Sequence, residues 1–426
     1  MQPTALISKL LQDVRASYWF IPGLLVLAAV ALAELMQHLD RGALAQMLPV
    51  SLRDTQAEGA RAMLSVIAQS VIGVAGVMFS MTVVAVSFAS SNFGPRLIGN
   101  FMRDRANQVS LGIMIATFVY TMLILRAVQD PSAEGADLTV DLFVPHLAIL
   151  VAIGLALISV VTMIFFVHHI PEAINLANIT SGLGERLVAA LHASGEPFED
   201  VYEIMPEGLP VQYLTAGGSG YMRTLNAARL SRLSLDQGWW IEVLEVPGAF
   251  LDDDRNVLRI HGNPALNDDL IRELRGCFAL GRERSEDQNM MFMIDQLCEV
   301  IARALSPGIN DPFTAMNCMN WMHVALLLAL KEPPGHRGSA YERVLVPVMT
   351  FTQLLQAGHS ISRPYVATDL NATTHVLKLL CVLANRAPEG PRRAAVLEER
   401  DELLEMALAL QPDAGSQRII RRAAAE

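Results

Sequence analysis

Residues 62–95 read AMLSVIAQSVIGVAGVMFSMTVVAVSFASSNFGP, a run without one Asp, Glu, Lys or Arg. The hydrocarbon core of a bilayer takes about 20 mostly apolar residues as a helix, so this run exceeds the needs of one crossing. Buried helices of soluble proteins rarely extend so far without a charge. Three further stretches share its character: Ala16–Ala33, Ala106–Leu125 and Leu142–Ile170. The expected membrane spans are therefore about 16–33, 64–90, 106–125 and 144–169. The first has a second reading. Lys9 and Arg15 precede it and it ends in Ala31-Leu32-Ala33, the pattern of a cleaved signal peptide. Pro22, Gly23 and the distance from the N-terminus favour an uncleaved anchor.

Composition agrees. The 426 residues are 52% hydrophobic and 18% charged, with mean hydropathy +0.35, where soluble domains carry about 25% charged residues. Charge is uneven: residues 1–180 carry a net −2 and the remainder −9. An acidic soluble half excludes the basic face that nucleic acid requires. The cysteines, Cys277, Cys298, Cys318 and Cys381, form no C-x-x-C pair and match no zinc spacing. They read as free buried thiols in a reducing, cytoplasmic compartment.

Orientation follows from Lys and Arg in the short loops. Arg96, Arg103 and Arg105 place the loop between spans two and three inside. Asp130, Glu134, Asp137 and Asp141, with only Arg126, place the next loop outside. The loop after span one is ambiguous, because Arg41, Arg53 and Arg61 are offset by Asp40, Asp54 and Glu58. Lys9, Arg15 and an even number of spans put both termini in the cytoplasm.

In the second span, Gln69, Gly73, Gly76, Ser80, Ser87 and Ser91 recur at helical spacings and share one face. Small, weakly polar faces of this kind associate helices in lipid. Two readings stay open: packing within the bundle, or the lining of a hydrated path in a homo-oligomer. No charged residue lies inside a span, which speaks against an ion-coupled carrier more than against a simple pore. Gly94-Pro95 ends the helix, and Leu97–Asp104 reads as a short interfacial helix or a charged turn. His168 and His169 are adjacent, not spaced as a helical metal pair, and read as interfacial residues.

Beyond residue 172, an amphipathic helix over Ile174–His192 leads into a linker, Gly195–Pro210, together spanning 173–210. Residues 211–264 read as a small α+β module, with strands Val211–Thr215, Trp239–Val246 and Val257–His261 and a helix over Leu225–Leu235. Residues 265–426 read as helical. Ser285 with Gln288 makes a capping box for a helix running to about Leu305, on which Glu299 and Arg303 pair at i,i+4. Ser306 to Asn310 is a tight connection, and Asp311-Pro312 reads as N-cap and first turn of the next helix. Further helices fall near 340–357, 366–386, 395–410 and 415–425. The fold class is mainly α: a four-helix transmembrane region, a small α+β module and a cytoplasmic helical domain.

Three segments, Ser17-Tyr18-Trp19-Phe20-Ile21-Pro22, Ser90-Ser91-Asn92-Phe93-Gly94-Pro95-Arg96 and Arg303-Ala304-Leu305-Ser306-Pro307-Gly308-Ile309-Asn310-Asp311-Pro312-Phe313-Thr314-Ala315, resemble a bacterial family. It is the predicted-membrane-protein family called domain of unknown function 2254. Gly220-Tyr221 and Pro247-Gly248-Ala249-Phe250 are similar to that family too, although Asp252–Asn256 replaces its usual Gly after the turn. The resemblance spans nearly the whole chain and implies a membrane location, here the inner membrane of a bacterium, with little about activity.

The segment Arg303–Ala315 is the natural place to seek a ligand or interdomain contact: Arg303, Ser306, Asn310, Asp311 and Thr314, with Arg282 and Arg284 as a source of positive charge. A helix N-terminus there can hold an anion. The same residues are also what a sharp inter-helix turn requires. No hydrolase, zincin, phosphate-loop or kinase signature is present, and Gly217–Gly220 lacks the phosphate-loop Lys. His261, His323, His336 and His359 are scattered singles. No catalytic, metal or cofactor residue is assigned. The expected partners are the lipid bilayer and further copies of the chain, with no nucleic acid and any small ligand unknown. Three classes remain: a channel-like homo-oligomer gated by its cytoplasmic domain, a membrane-tethered sensor or scaffold, and, behind both, a membrane enzyme.

Overall fold

The computed structural model describes residues 17–42, 56–93, 104–129, 143–194, 208–262, 266–286, 288–331, 341–347 and 349–426. The expected interfacial segment over 97–103, linker residues 195–207 and most loop charges used for orientation lie outside them. The chain forms two compact units, one ending at Asn175 and one running from Leu176.

The first unit contains α1 (Phe20–Asp40), α2 (Ala57–Phe93), α3 (Arg105–Ala127) and α4 (His146–Ala173). All four are long and apolar enough to cross a membrane. α3 packs against each of the other three. Its approach to α1 depends on Gly112, where a Cβ would lie 2.6 Å from Leu25 Cδ1 and 3.0 Å from Pro22 Cα. Two polar pairs lie inside the bundle: Ser159 Oγ donates to Thr117 Oγ1 at 3.1 Å, and Thr82 Oγ1 to Asn107 Oδ1 at 3.2 Å. α1 continues beyond the expected end at Ala33 because Asp40 has a task. Its carboxylate accepts Leu147 N and Ala148 N, each at 2.9 Å, satisfying the open amides at the positive end of α4. Tyr120 Oη donates to Ala148 O at 3.0 Å and completes the junction.

On α2 the buried residues are Ala57, Ala60, Leu64, Ala68, Val71, Ala75, Met78, Thr82, Ala85 and Ala89, an i, i+3/i+4 series facing the bundle. Val66, Val77, Val84 and Phe88 point outward. An apolar exterior around a partly polar interior is what lipid, not water, selects.

The second unit opens with α5 (Leu176–Ser194). Two small sheets follow, from β1 (Val211–Thr215), β2 (Gly220–Leu225), β3 (Trp240–Val243), β4 (Phe250–Leu251), β5 (Asn256–His261), β6 (Phe278–Gly281) and β7 (Val344–Leu345). Strand order is β1-β5-β3-β7 in one sheet and β4-β2-β6 in the other. All pairings are antiparallel except β3 with β7. α6 (Ala227–Gln237), capped by Asn226 and closed by left-handed Gly238, and α7 (Asp268–Arg275) accompany them. The core joins Leu214, Met222, Leu230, Ile241, Leu258 and Leu274. The sheets therefore draw in residues beyond 264. Phe278–Gly281 is too short and uniformly apolar to distinguish from helix by periodicity.

α8 (Met290–Ala304), α9 (Pro312–Ala329), α10 (Phe351–Leu355), a π-turn (Gln356–Ser360), α11 (Ile361–Val366), α12 (Leu370–Arg386), α13 (Pro391–Leu410) and α14 (Ala414–Ala423) complete the unit. The Ser285–Gln288 capping box is not formed. Asn289 is the N-cap of α8, its side chain accepting Phe292 N, while Gln288 Oε1 accepts Leu225 N at 2.9 Å. Cross-chain pairing of the β2 backbone outcompetes the local cap. α5 packs on α9 at Gly184, where a Cβ would fall 2.2 Å from the Trp321 ring. Asn317 Nδ2 donates to Thr180 Oγ1 at 2.8 Å in the same interface. All four cysteines are free and buried. Burial pushes the Cys277 thiol up to about 12 and Cys298 to about 11, so both are inert.

Candidate functional site

The turn between α8 and α9 closes on itself. Ser306 Oγ donates to Arg303 O at 2.6 Å, Asn310 N to Ser306 O at 2.9 Å, and Asp311 N to Ala304 O at 2.7 Å. Asn310 is left-handed, φ +52°, a conformation Asn tolerates better than most residues. Asp311 caps α9: its carboxylate accepts Thr314 N at 3.2 Å and Thr314 Oγ1 at 2.6 Å, with Pro312 in the first turn. Arg303 Nε lies 3.6 Å from Glu299 Oε1. These residues are thus adjacent, and their polar groups hold the turn. The two expected sources of positive charge go elsewhere: Arg284 is paired with Asp295 and lies over the Phe292 ring, and Arg282 is exposed. Beside the turn, Ile309 and Phe313 are exposed.

The other family-like segments meet one another. Tyr221 pairs with Phe250 between β2 and β4, their rings edge-on at 5.1 Å. Gly248 has φ +102° and donates to Met222 O at 2.7 Å, and a Cβ there would lie 2.3 Å from Asn289 Nδ2. Only glycine fits this turn beneath the start of α8.

On α2, Gln69, Gly73, Gly76, Ser80, Ser87 and Ser91 are all exposed, on the side opposite the packed series. Gly73 and Gly76 face open space. Ser80 Oγ donates to Gly76 O at 3.0 Å and Ser91 Oγ to Phe88 O at 2.9 Å, within the helix itself. Packing inside the bundle, one of the two readings of this face, is therefore not its role within one chain: alanines and larger apolar residues on the other face do that. His169 Nε2 lies 2.6 Å from Asp104 Oδ2, tying the end of α4 to the α3 cap, while His168 meets Glu172 at 3.3 Å.

A cleft of about 640 Å³ opens between the α10–α11 segment and α13. On its floor Ser360 Oγ donates to Glu399 Oε2 at 2.5 Å, and Arg363 pairs with Glu399 at 3.5 Å and with Glu402. Burial raises the Glu399 carboxyl above its ordinary range, against the hydrogen bond from Ser360 and the charge of Arg363. The π-turn builds this wall. Its extra residue turns Ser360 towards α13, and Cys298 Sγ, donating to Ala357 O at 3.3 Å, pins it from behind. Sequence periodicity had no signal for it, since a π-turn looks like continuous helix until its partners are known. Among the described residues no group of three or more His, Cys, Asp or Glu is placed to hold a metal ion.

A family described as a predicted membrane protein (DUF2254) matches residues 15–381. Uncharacterized proteins of Mycobacterium bovis and Mycobacterium tuberculosis are 28% identical over 352 residues, covering 79% of this chain and 66% of theirs. The chain thus spans just under two thirds of the length of these relatives. No solved structure matches it. The family match takes in all four apolar helices, the α2 terminus and the α8–α9 turn, and the chain belongs to the predicted membrane proteins of the DUF2254 family.

Proposed function

We propose that this membrane protein assembles with copies of itself around the outward face of α2, forming a channel-like path controlled by its soluble unit. One observation carries the reading: the Gln69–Ser91 stripe lies on the free side of the bundle. A glutamine amide and small grooved residues are poor company for lipid tails, since an unpaired amide in an apolar medium costs several kcal/mol. Such a face is satisfied by another helix or by water, and a ring of copies supplies both. Met63, Ile72, Phe79 and Met81 on the flanks of that face would meet the surrounding lipid. The reading includes an inner-membrane location with both termini cytoplasmic, supported by the Arg-rich and acidic loops.

The test uses the full chain in nanodiscs. Ser80→Cys should give disulfide-linked dimers on mild oxidation, since the native thiols are buried, and Met81→Cys, a quarter-turn away at the same depth, should not. Reconstituted liposomes should pass potassium or chloride, and Gly73→Leu should reduce that flux at least tenfold. A monomer in nanodiscs, with no cross-link at Ser80 and no flux, would remove the assembly and the path together. Reporter fusions at each terminus that became active only outside the cell would reverse the sidedness.

A further inference from the structure

α5 and α9 run side by side in the same direction. Asn317 meets Thr180 and Trp321 meets Gly184, both pairs 137 positions apart, so one register holds along the interface. Arg186 reaches Glu286, just ahead of α8, so α8 runs the opposite way and ends where α5 begins. Carried back one turn, the register sets Phe313 level with Leu176. The α8–α9 turn therefore stands at the end of the second unit where its chain begins, and residues 307–310 project past it. Only Ile174 and Asn175 separate Leu176 from α4, the last of the four apolar helices. Packed helices stand about 8–10 Å apart, so covalent connection keeps the turn near the lipid at any angle of that joint. We propose that the α8–α9 turn inserts Ile309 and Phe313 into the headgroup layer of the bilayer and holds this end of the second unit on the lipid surface.

The tip has the surface for it. Phe313 is 73% exposed, more than the outward-facing Val84 of α2 at 68%, and Pro307 and Ile309 are exposed beside it. Single apolar side chains scattered on a surface are ordinary, but three on one protruding tip form a patch. Residues 304–310 carry no charge, although the chain beyond residue 180 is acidic, at a net −9. A neutral tip meets anionic headgroups without the repulsion that an acidic surface suffers. Its backbone is also prepared for a medium poor in water: Ile309 N and Asn310 N both donate to Ser306 O, and Asp311 N to Ala304 O. A second copy or another protein is the competing occupant of such a patch. Lipid is favoured because the chain itself brings it close in every molecule, with or without assembly through α2.

The experiment uses the full chain in nanodiscs of phosphatidylethanolamine and phosphatidylglycerol, loaded with one chain per disc. Phe313→Cys and, as control, Val324→Cys are each labelled with a nitrobenzoxadiazole probe, the native thiols being buried. Val324 is exposed on the same helix, about 16 Å further from the turn. Nitroxide-bearing lipid should quench the probe at 313 at least twofold more than at 324, and aqueous iodide should show the reverse order. Ile309→Asp, at an exposed position, should at least halve the lipid quenching at 313 while melting in detergent stays unchanged. Equal iodide quenching at both sites overturns the proposal, since the turn then lies in water. Protection from both quenchers overturns it too, and marks a protein surface in place of lipid. Unchanged lipid quenching in the Ile309→Asp variant assigns the signal to the probe and overturns it likewise. Cross-linking at Ser80 plays no part in these readings, so the α2 assembly can fail while this contact stands.

Discussion

His359→Leu should make the protein more resistant to acid. His359 lies in the π-turn, 2% exposed, and neither ring nitrogen has a hydrogen-bond partner among the described residues. Burial, then the charge of neighbouring His323, lowers it from 6.5 to about 4. Between those values the unfolded chain takes up a proton that the folded chain refuses. Stability therefore falls as pH drops from about 6.5 to about 4 and levels off below. At about 1.4 kcal/mol per pH unit, the whole window is worth about 3 kcal/mol. Leucine removes both the titration and the unmatched nitrogens, so at pH 7 the variant should equal or exceed the wild type. The assay is thermal unfolding in detergent followed by tryptophan fluorescence, since Trp239, Trp240 and Trp321 all lie in the second unit. Other groups titrating in that range, among them His323, His375 and Glu399, are common to both proteins and cancel in the difference. The gap in favour of the variant should widen steadily from pH 7 to pH 4.5. A constant gap would refute the reasoning, because it would mean that the imidazole gains its proton as easily inside as outside.

Gly184→Ala should destabilise by about 1–3 kcal/mol through collision with Trp321, despite a helix-propensity gain of about 1 kcal/mol. Trp321→Leu in the same chain should recover most of the loss in a melting comparison. Asp311→Ala should cost about 1 kcal/mol as a lost N-cap, and Asp311→Asn only a fraction of that, read by the same unfolding signal. Asp40→Ala leaves two amides of α4 without their acceptor, and the membrane unit should lose about 3 kcal/mol, seen as earlier heat aggregation in detergent.

The membrane half was legible because lipid imposes one strict demand. Every backbone group in a span must pair within its own helix, so an uncharged run the length of the bilayer admits one structure. What such a run does not reveal is which side of a helix meets its neighbours. On α2 the small and weakly polar residues suggested the packed side, yet α3 and α4 take the alanine, methionine and valine side instead. Alanines at every third or fourth position also give close approach, and they leave the glycine stripe outside. In the second unit, β1, the helix after it and the Asp311 cap were readable from local chemistry. β2, β4, β6 and β7 were not, because such short strands are stabilised by partners far away in sequence.

The Arg303–Ala315 segment shows why motif strength and chemical function are different things. Two of its side chains are engaged locally, Ser306 on Arg303 O and Asp311 on Thr314, while Asn310 is exposed on a left-handed backbone. A polar group already committed at 2.6 Å to its own turn has little left for a ligand. The cleft is the converse case. Ser360, Arg363 and Glu399 form no recognisable sequence pattern, since they come from a π-turn, a short helix and α13, with Ser360 and Glu399 39 positions apart. Ser360 and Arg363 both meet the Glu399 carboxylate, and Arg363 also meets Glu402. That cluster depends on how the helices stack, so it becomes visible only after folding.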